Sequence, residues 1–159
     1  MSEEKKLREQ LVKHLNGGEA FTPLDEFIDE IPFEKLGERP QELPYSFYEL
    51  FYHIVFAQKD ILEFSISGSY ETSTWPDDYW PKEQAPADEQ AWENLKSEYF
   101  EDRKIFADFL LDENNDLLKP VKNGETQSLF RETMLIIEHT GYHSGELMVI
   151  LRLLGLHKS

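Results

Sequence analysis

Cysteine is absent from the 159 residues, which removes disulfides, thiolate metal ligands and a cysteine nucleophile together. Any sulfur chemistry performed here has to use a thiol brought from outside. Positive charge is scarce: 16 Lys and Arg stand against 32 Asp and Glu, a formal net charge of −16 and a pI near 4.6. A surface of that sign repels phosphate backbones and anionic lipid, so nucleic acid and membrane surfaces are excluded as natural partners. Long apolar runs are missing too. The start MSEEKKLREQL has no apolar core of signal-peptide length, and nothing approaches the roughly 20 apolar residues of a membrane span. These absences together predict a soluble, cytoplasmic protein. A chain of this length is expected to form one domain over residues 1–159, burying roughly 70 % of its unfolded surface.

Alternating strand patterns and internal repeats are also absent, and the apolar residues follow helical spacing instead. Leu7, Leu11, Val12 and Leu15 mark a first short helix, stopped by Asn16-Gly17-Gly18. Thr22 and Pro23 read as the cap and first residue of a second short piece, carrying Leu24, Phe27, Ile28 and Ile31 up to Pro32. Phe33 to Pro44 reads as a connection outside the core. Ser46 and Glu49 have capping-box spacing, with Tyr45 and Leu50 placed as a hydrophobic staple, so a long central helix is predicted from Ser46 to about Phe64.

Residues 65–87 form a long loop containing WPDDYWP. Asp88 can cap a third long helix bearing Trp92, Leu95, Tyr99, Phe106, Phe109 and Leu110. Residues 83–116 hold 11 acidic and 3 basic side chains, spread among apolar positions as on a solvated helix face. Thr126 is the expected cap of a last, strongly apolar helix from Gln127 to about Leu154, ending at Gly155. The fold class is therefore all-α: an antiparallel four-helix bundle with a broken N-terminal helix and a long loop between the second and third helices.

Five histidines occur, at 14, 53, 139, 143 and 157. His139 and His143 are four residues apart, about 40° around a helix, and so share one face. His53 lies in the other very apolar helix, where an antiparallel neighbour brings it opposite the pair. Three neutral imidazoles with a fourth position open suit a catalytic type of zinc site, and also nickel, copper or ferrous iron. The plain alternative is that these are satisfied core histidines, because HxxxH without the glutamate of HExxH recurs by chance. His14 and His157 read as surface residues.

Glu49, one turn before His53, and Glu146, three residues after His143, are each candidates for a further ligand, an outer hydrogen-bond acceptor or a general base. A cap or solvated role competes in both cases. Gly141 and Gly145 each cost a helix roughly 1 kcal/mol relative to alanine, which points to close approach of another helix, within the chain or across a dimer seam.

The segment HTGYHSGELMVILRLLG, His139 to Gly155, resembles the closing helix of the DinB/YfiT-like superfamily. LPYSFYELFYHIVFAQKDILEFS, with His53, is similar to that family's second helix. WPDDYWP and HLNGGEAFTPLDEF match the loop and the start of one branch. The resemblance implies a four-helix bundle, often a homodimer, holding a divalent metal through residues matching His53, His139 and His143. Despite its DNA-damage name, the family is unrelated to the polymerase that shares it. Its members include S-transferases using low-molecular-weight thiols such as bacillithiol, a mycothiol-dependent maleylpyruvate isomerase, and proteins described as metal-dependent hydrolases. Thr140, often Asn, and Glu146, often Gln, depart from the pattern.

The leading functional expectation is a divalent-metal-binding, thiol-dependent S-transferase acting on a small-molecule electrophile. Zinc or nickel is the expected ion, and Tyr79, Trp80 and Tyr142 are the candidates to line the pocket. A metal-dependent hydrolase using Glu49 or Glu146 as base, and a non-catalytic metal-binding bundle, are the alternatives.

Overall fold

A computed structural model describes residues 2–157. Four long helices carry the fold: α1 (Glu3–Asn16), α2 (Phe47–Ile66), α3 (Glu89–Leu111) and α4 (Leu129–Leu153). No strand occurs among the described residues beyond one isolated bridge between Pro120 and Ser128. Helix α2 packs on α3 and α4, and α1 packs on the same two.

The start and stop signals act mostly as their chemistry predicts. Gly17 and Gly18 end α1 at φ of 87° and 93°, a region glycine enters without steric cost. The Ser46–Glu49 capping box opens α2: Ser46 Oγ accepts from the Glu49 amide at 3.2 Å and Glu49 Oε2 from the Ser46 amide at 2.7 Å. Asp88 caps α3 by accepting from the Ala91 amide at 2.8 Å.

Three expectations give way. Helix α4 is capped by Ser128, whose Oγ accepts from the Arg131 amide, because the residues before it are paired back on the turn, the Val121 amide donating to the Gln127 carbonyl at 2.8 Å beside the Pro120–Ser128 bridge. The piece after Thr22 is not one helix but two 3₁₀ turns, Leu24–Glu26 and Ile28–Glu30, interrupted where Phe27 takes φ −134° and ψ −9°. Thr22 caps neither. The segment from Phe33 to Pro44 does enter the core, because Leu36 is fully buried there and its carbonyl accepts from the Tyr48 amide at 3.1 Å.

Two buried apolar clusters divide the interior. One gathers Phe27, Ile31 and Leu36 with Phe47, Phe51, Trp92 and Leu147; the other gathers Leu15, Leu62, Phe106, Leu110 and Ile136. The buried Arg103 of α3 reaches all three other long helices. It donates to Gln58 Oε1 on α2 at 2.6 Å, to Thr140 Oγ1 on α4 at 2.9 Å and to the Leu15 carbonyl on α1. Gln58 in turn donates to the Tyr99 carbonyl at 2.8 Å, and the guanidinium lies over the Tyr99 ring. Burial pulls the Arg103 pKa below its ordinary value. Thr140 follows His139 directly, so this network fixes α4 at the level of its histidines.

Candidate metal centre

His53 projects from α2, and His139 and His143 from one face of α4, as their spacing predicts. One ring nitrogen from each lies within 4.8 Å of the others. His139 Nε2 and His53 Nε2 are 3.0 Å apart. A tetrahedral ion with nitrogen ligands at about 2.0–2.1 Å holds them about 3.3–3.4 Å from one another, so the His53–His139 pair would part slightly on binding one.

Outer partners fix which nitrogens face inward. A backbone carbonyl can only accept, so the proton of His53 sits on Nδ1, which donates to the Tyr79 carbonyl at 3.1 Å. His143 Nδ1 likewise donates to Glu146 Oε2 at 2.5 Å. Both residues are thereby left with an Nε2 lone pair for a ligand, the arrangement by which metal-binding histidines are oriented. Burial drives the His53 pKa down, opposed by the Tyr79 bond. His139 is pulled to about 3, by burial first and then by His143 and His53 beside it. Neutral imidazoles are the form a cation requires.

The chemistry of three imidazole nitrogens, two of them on rings whose Nδ1 is held by an outer acceptor, fits a divalent transition ion. A comparison with known families then places the chain. The family model for DinB matches residues 1–159, the whole length. The chain belongs to the DinB family. No curated protein and no solved structure matches it. Among the described residues no helix is long and apolar enough to cross a membrane.

The remaining candidates of this DinB-family chain have distinct places. Trp80 lies flat on His53, with ring centroids 4.3 Å apart and 4° between planes. Tyr142 meets His143 edge-on at 4.9 Å and is 69 % exposed. Tyr79 contributes through its backbone, while its hydroxyl donates to Asp60 at 2.6 Å. Glu146 takes the outer-acceptor role, receiving the Tyr45 hydroxyl at 2.8 Å as well as His143. Glu49 is occupied by the Ser46 amide and by Arg39, whose Nε and Nη2 donate at 2.9 and 2.5 Å. Burial pushes the Glu49 carboxyl up, but Arg39 and Ser46 together hold it below its usual range.

The glycines do not mark a helix contact within the chain. Gly141 faces Phe21, whose ring would stand 3.1 Å from an added Cβ, and Gly145 faces open space. His157 is not free on the surface but pairs with Glu30 at 2.8 Å.

Sequence reasoning missed three parts. The Tyr79 carbonyl has no side-chain signature. Tyr45 packs partly against the core that holds Leu50, as a staple would, but its hydroxyl turns to Glu146. Trp75, 67 % exposed, stands edge-on to His53 at 6.1 Å; its place in WPDDYWP was the available signal.

Proposed function

We propose that this protein is a metal-dependent S-transferase that uses a low-molecular-weight thiol against a small electrophile, with His53, His139 and His143 holding zinc or nickel. The observation that carries the reading is the inward convergence of three imidazoles, two with their Nδ1 committed outward to an acceptor. A divalent ion held there supplies Lewis acidity that lowers the pKa of a coordinated thiol, so that thiolate is available near neutral pH.

The chain's own residues orient and enclose. The Tyr79 carbonyl and Glu146 hold the His53 and His143 rings in register, and Trp80 covers one face of His53. Trp75 and Tyr142, both exposed, flank the histidines where a substrate would rest. The absence of cysteine agrees with a thiol that arrives as a cosubstrate. Hydrolysis is less well supported, because it needs a free general base. Glu49 and Glu146 are both already accepting from two partners.

The reading extends to an antiparallel four-helix bundle, supported by the packing of each long helix on two others. A homodimer is supported by the exposed apolar stripe of Tyr142, Val149 and Leu153 on α4. Cytoplasmic placement suits a reaction that consumes a reduced thiol.

Elemental analysis of the full chain, purified without chelator or added metal, tests the site beside His53→Ala and His143→Ala. About one equivalent of a divalent transition ion is expected, lost in both variants. A metal-loaded protein that neither binds nor consumes any low-molecular-weight thiol with model electrophiles would overturn the transferase reading.

A further inference from the structure

We propose that Asp60 is a positioning residue for the histidine centre: it latches the loop of residues 67–87 onto α2 and, through Tyr79 and Trp80, sets the proton and orientation of His53. This rests on the reading of His53 as a ligand.

Asp60 follows His53 by seven residues on α2, about two turns, so the two side chains leave the helix on nearly the same face. Three hydroxyl groups converge on its carboxylate, all from the loop. Tyr70 donates to Oδ1 at 3.0 Å, Ser73 to Oδ1 at 3.4 Å and Tyr79 to Oδ2 at 2.6 Å. A carboxylate offers two accepting oxygens and no donor, which is what three hydroxyl donors require. Residues 74–78 between these contacts are exposed. A segment with little apolar burial depends on such polar ties for its local stability.

The same tyrosine is gripped at both ends. Its ring packs edge-on against Phe56 at 4.9 Å and Trp75 at 5.1 Å, and its hydroxyl is bound by Asp60. Its carbonyl, at the other end, receives the Nδ1 proton of His53, and the next residue, Trp80, lies flat on that imidazole. Helix α2 therefore holds the loop at two points two turns apart, and one of them is the imidazole whose other nitrogen faces the site.

The test uses the full chain labelled with ¹⁵N-histidine, first without metal. The imidazole ¹⁵N shifts of His53 report which nitrogen carries the proton. In wild type the proton is expected on Nδ1. Asp60→Ala and Tyr79→Phe are each expected to give a mixture of tautomers and to weaken zinc binding about tenfold in a chelator competition. Asp60→Asn, which keeps one acceptor oxygen, falls between. Tyr79→Phe leaves the carbonyl in place, so its effect isolates the latch from the contact it maintains.

If Asp60→Ala fails to fold, Tyr79→Phe decides by the same two readouts. A His53 that keeps its Nδ1 proton in the folded variant, with zinc affinity within about twofold of wild type, overturns the proposal. That range is well inside the loss typical of outer-partner removal. A wild type that binds neither zinc nor nickel would defeat the proposed function instead, and the metal-free tautomer measurement would still decide the latch.

Discussion

Glu146 receives the His143 Nδ1 proton on one carboxylate oxygen and the Tyr45 hydroxyl on the other. Burial, then the Glu146 bond, push the Tyr45 pKa up to about 12, so the phenol remains a donor. Glutamine at this position would offer one accepting oxygen for two donors and no charge for the imidazole. Glu146→Gln is therefore expected to fold normally and to bind zinc about tenfold more weakly, within the range for loss of an outer partner. Tyr45→Phe, which removes only the second donor and leaves the His143 contact with Glu146 in place, should change affinity by less than about fivefold, the equivalent of about 1 kcal/mol. A chelator competition series on the three proteins measures this. Unchanged affinity in Glu146→Gln would remove Glu146 from the support of the site.

Arg103 is expected to dominate the stability of the helix junction. Removing it leaves Gln58 Oε1, Thr140 Oγ1 and the Leu15 carbonyl without a buried donor. Each loss of a charged-group bond costs on the order of 1.5–3 kcal/mol, partly offset by the desolvation the guanidinium no longer suffers. Arg103→Met should lower unfolding free energy by about 3 kcal/mol in urea denaturation. A loss under about 1 kcal/mol, the level of an ordinary surface change, would show that the network is not a stabilising junction.

Asp102 sets a pH dependence of opposite sign to the usual acid. Among the described residues no donor reaches its Oδ2, and its pKa is raised, first by burial and then by repulsion from Glu98. The folded state thus binds its proton more tightly than the unfolded state does. Above the folded pKa the ionised carboxyl costs stability, and that cost is relieved as pH falls through it. Asp102→Asn should raise the melting temperature at pH 7, with the advantage over wild type shrinking towards pH 4. Paired thermal melts across that range test it; an advantage that grows on acidification would contradict the assignment.

The all-helical class, the three longest helices and the histidine face of α4 were legible because each depends on local physics. Glycines at positive φ ended α1, Ser46 with Glu49 opened α2, and i to i+4 spacing put His139 and His143 together. The cap of α4 falls at Ser128 and not at Thr126, two hydroxyl residues two positions apart that offer the same capping chemistry. The choice fell to the preceding turn, where the Val121 amide pairs with the Gln127 carbonyl beside the Pro120–Ser128 bridge. The break at Phe27 and the burial of Leu36 were invisible for a related reason: short segments follow the core they cover rather than their own propensity.

Acidity, the lack of cysteine, the helical pattern and the shared face of His139 and His143 were determined by the sequence itself, since composition and spacing along one helix need no partner. Only the tertiary structure decided that His53 meets the α4 pair, that Glu146 is an outer acceptor while Glu49 is held by Arg39, and that a backbone carbonyl sets the proton on His53. Apart from the contact of His143 with Glu146 three residues on, those facts join residues 10 to 86 positions apart, or use main-chain atoms that every residue carries. Their outcome rests on how the helices and the loop over α2 come together, and no residue type encodes it alone.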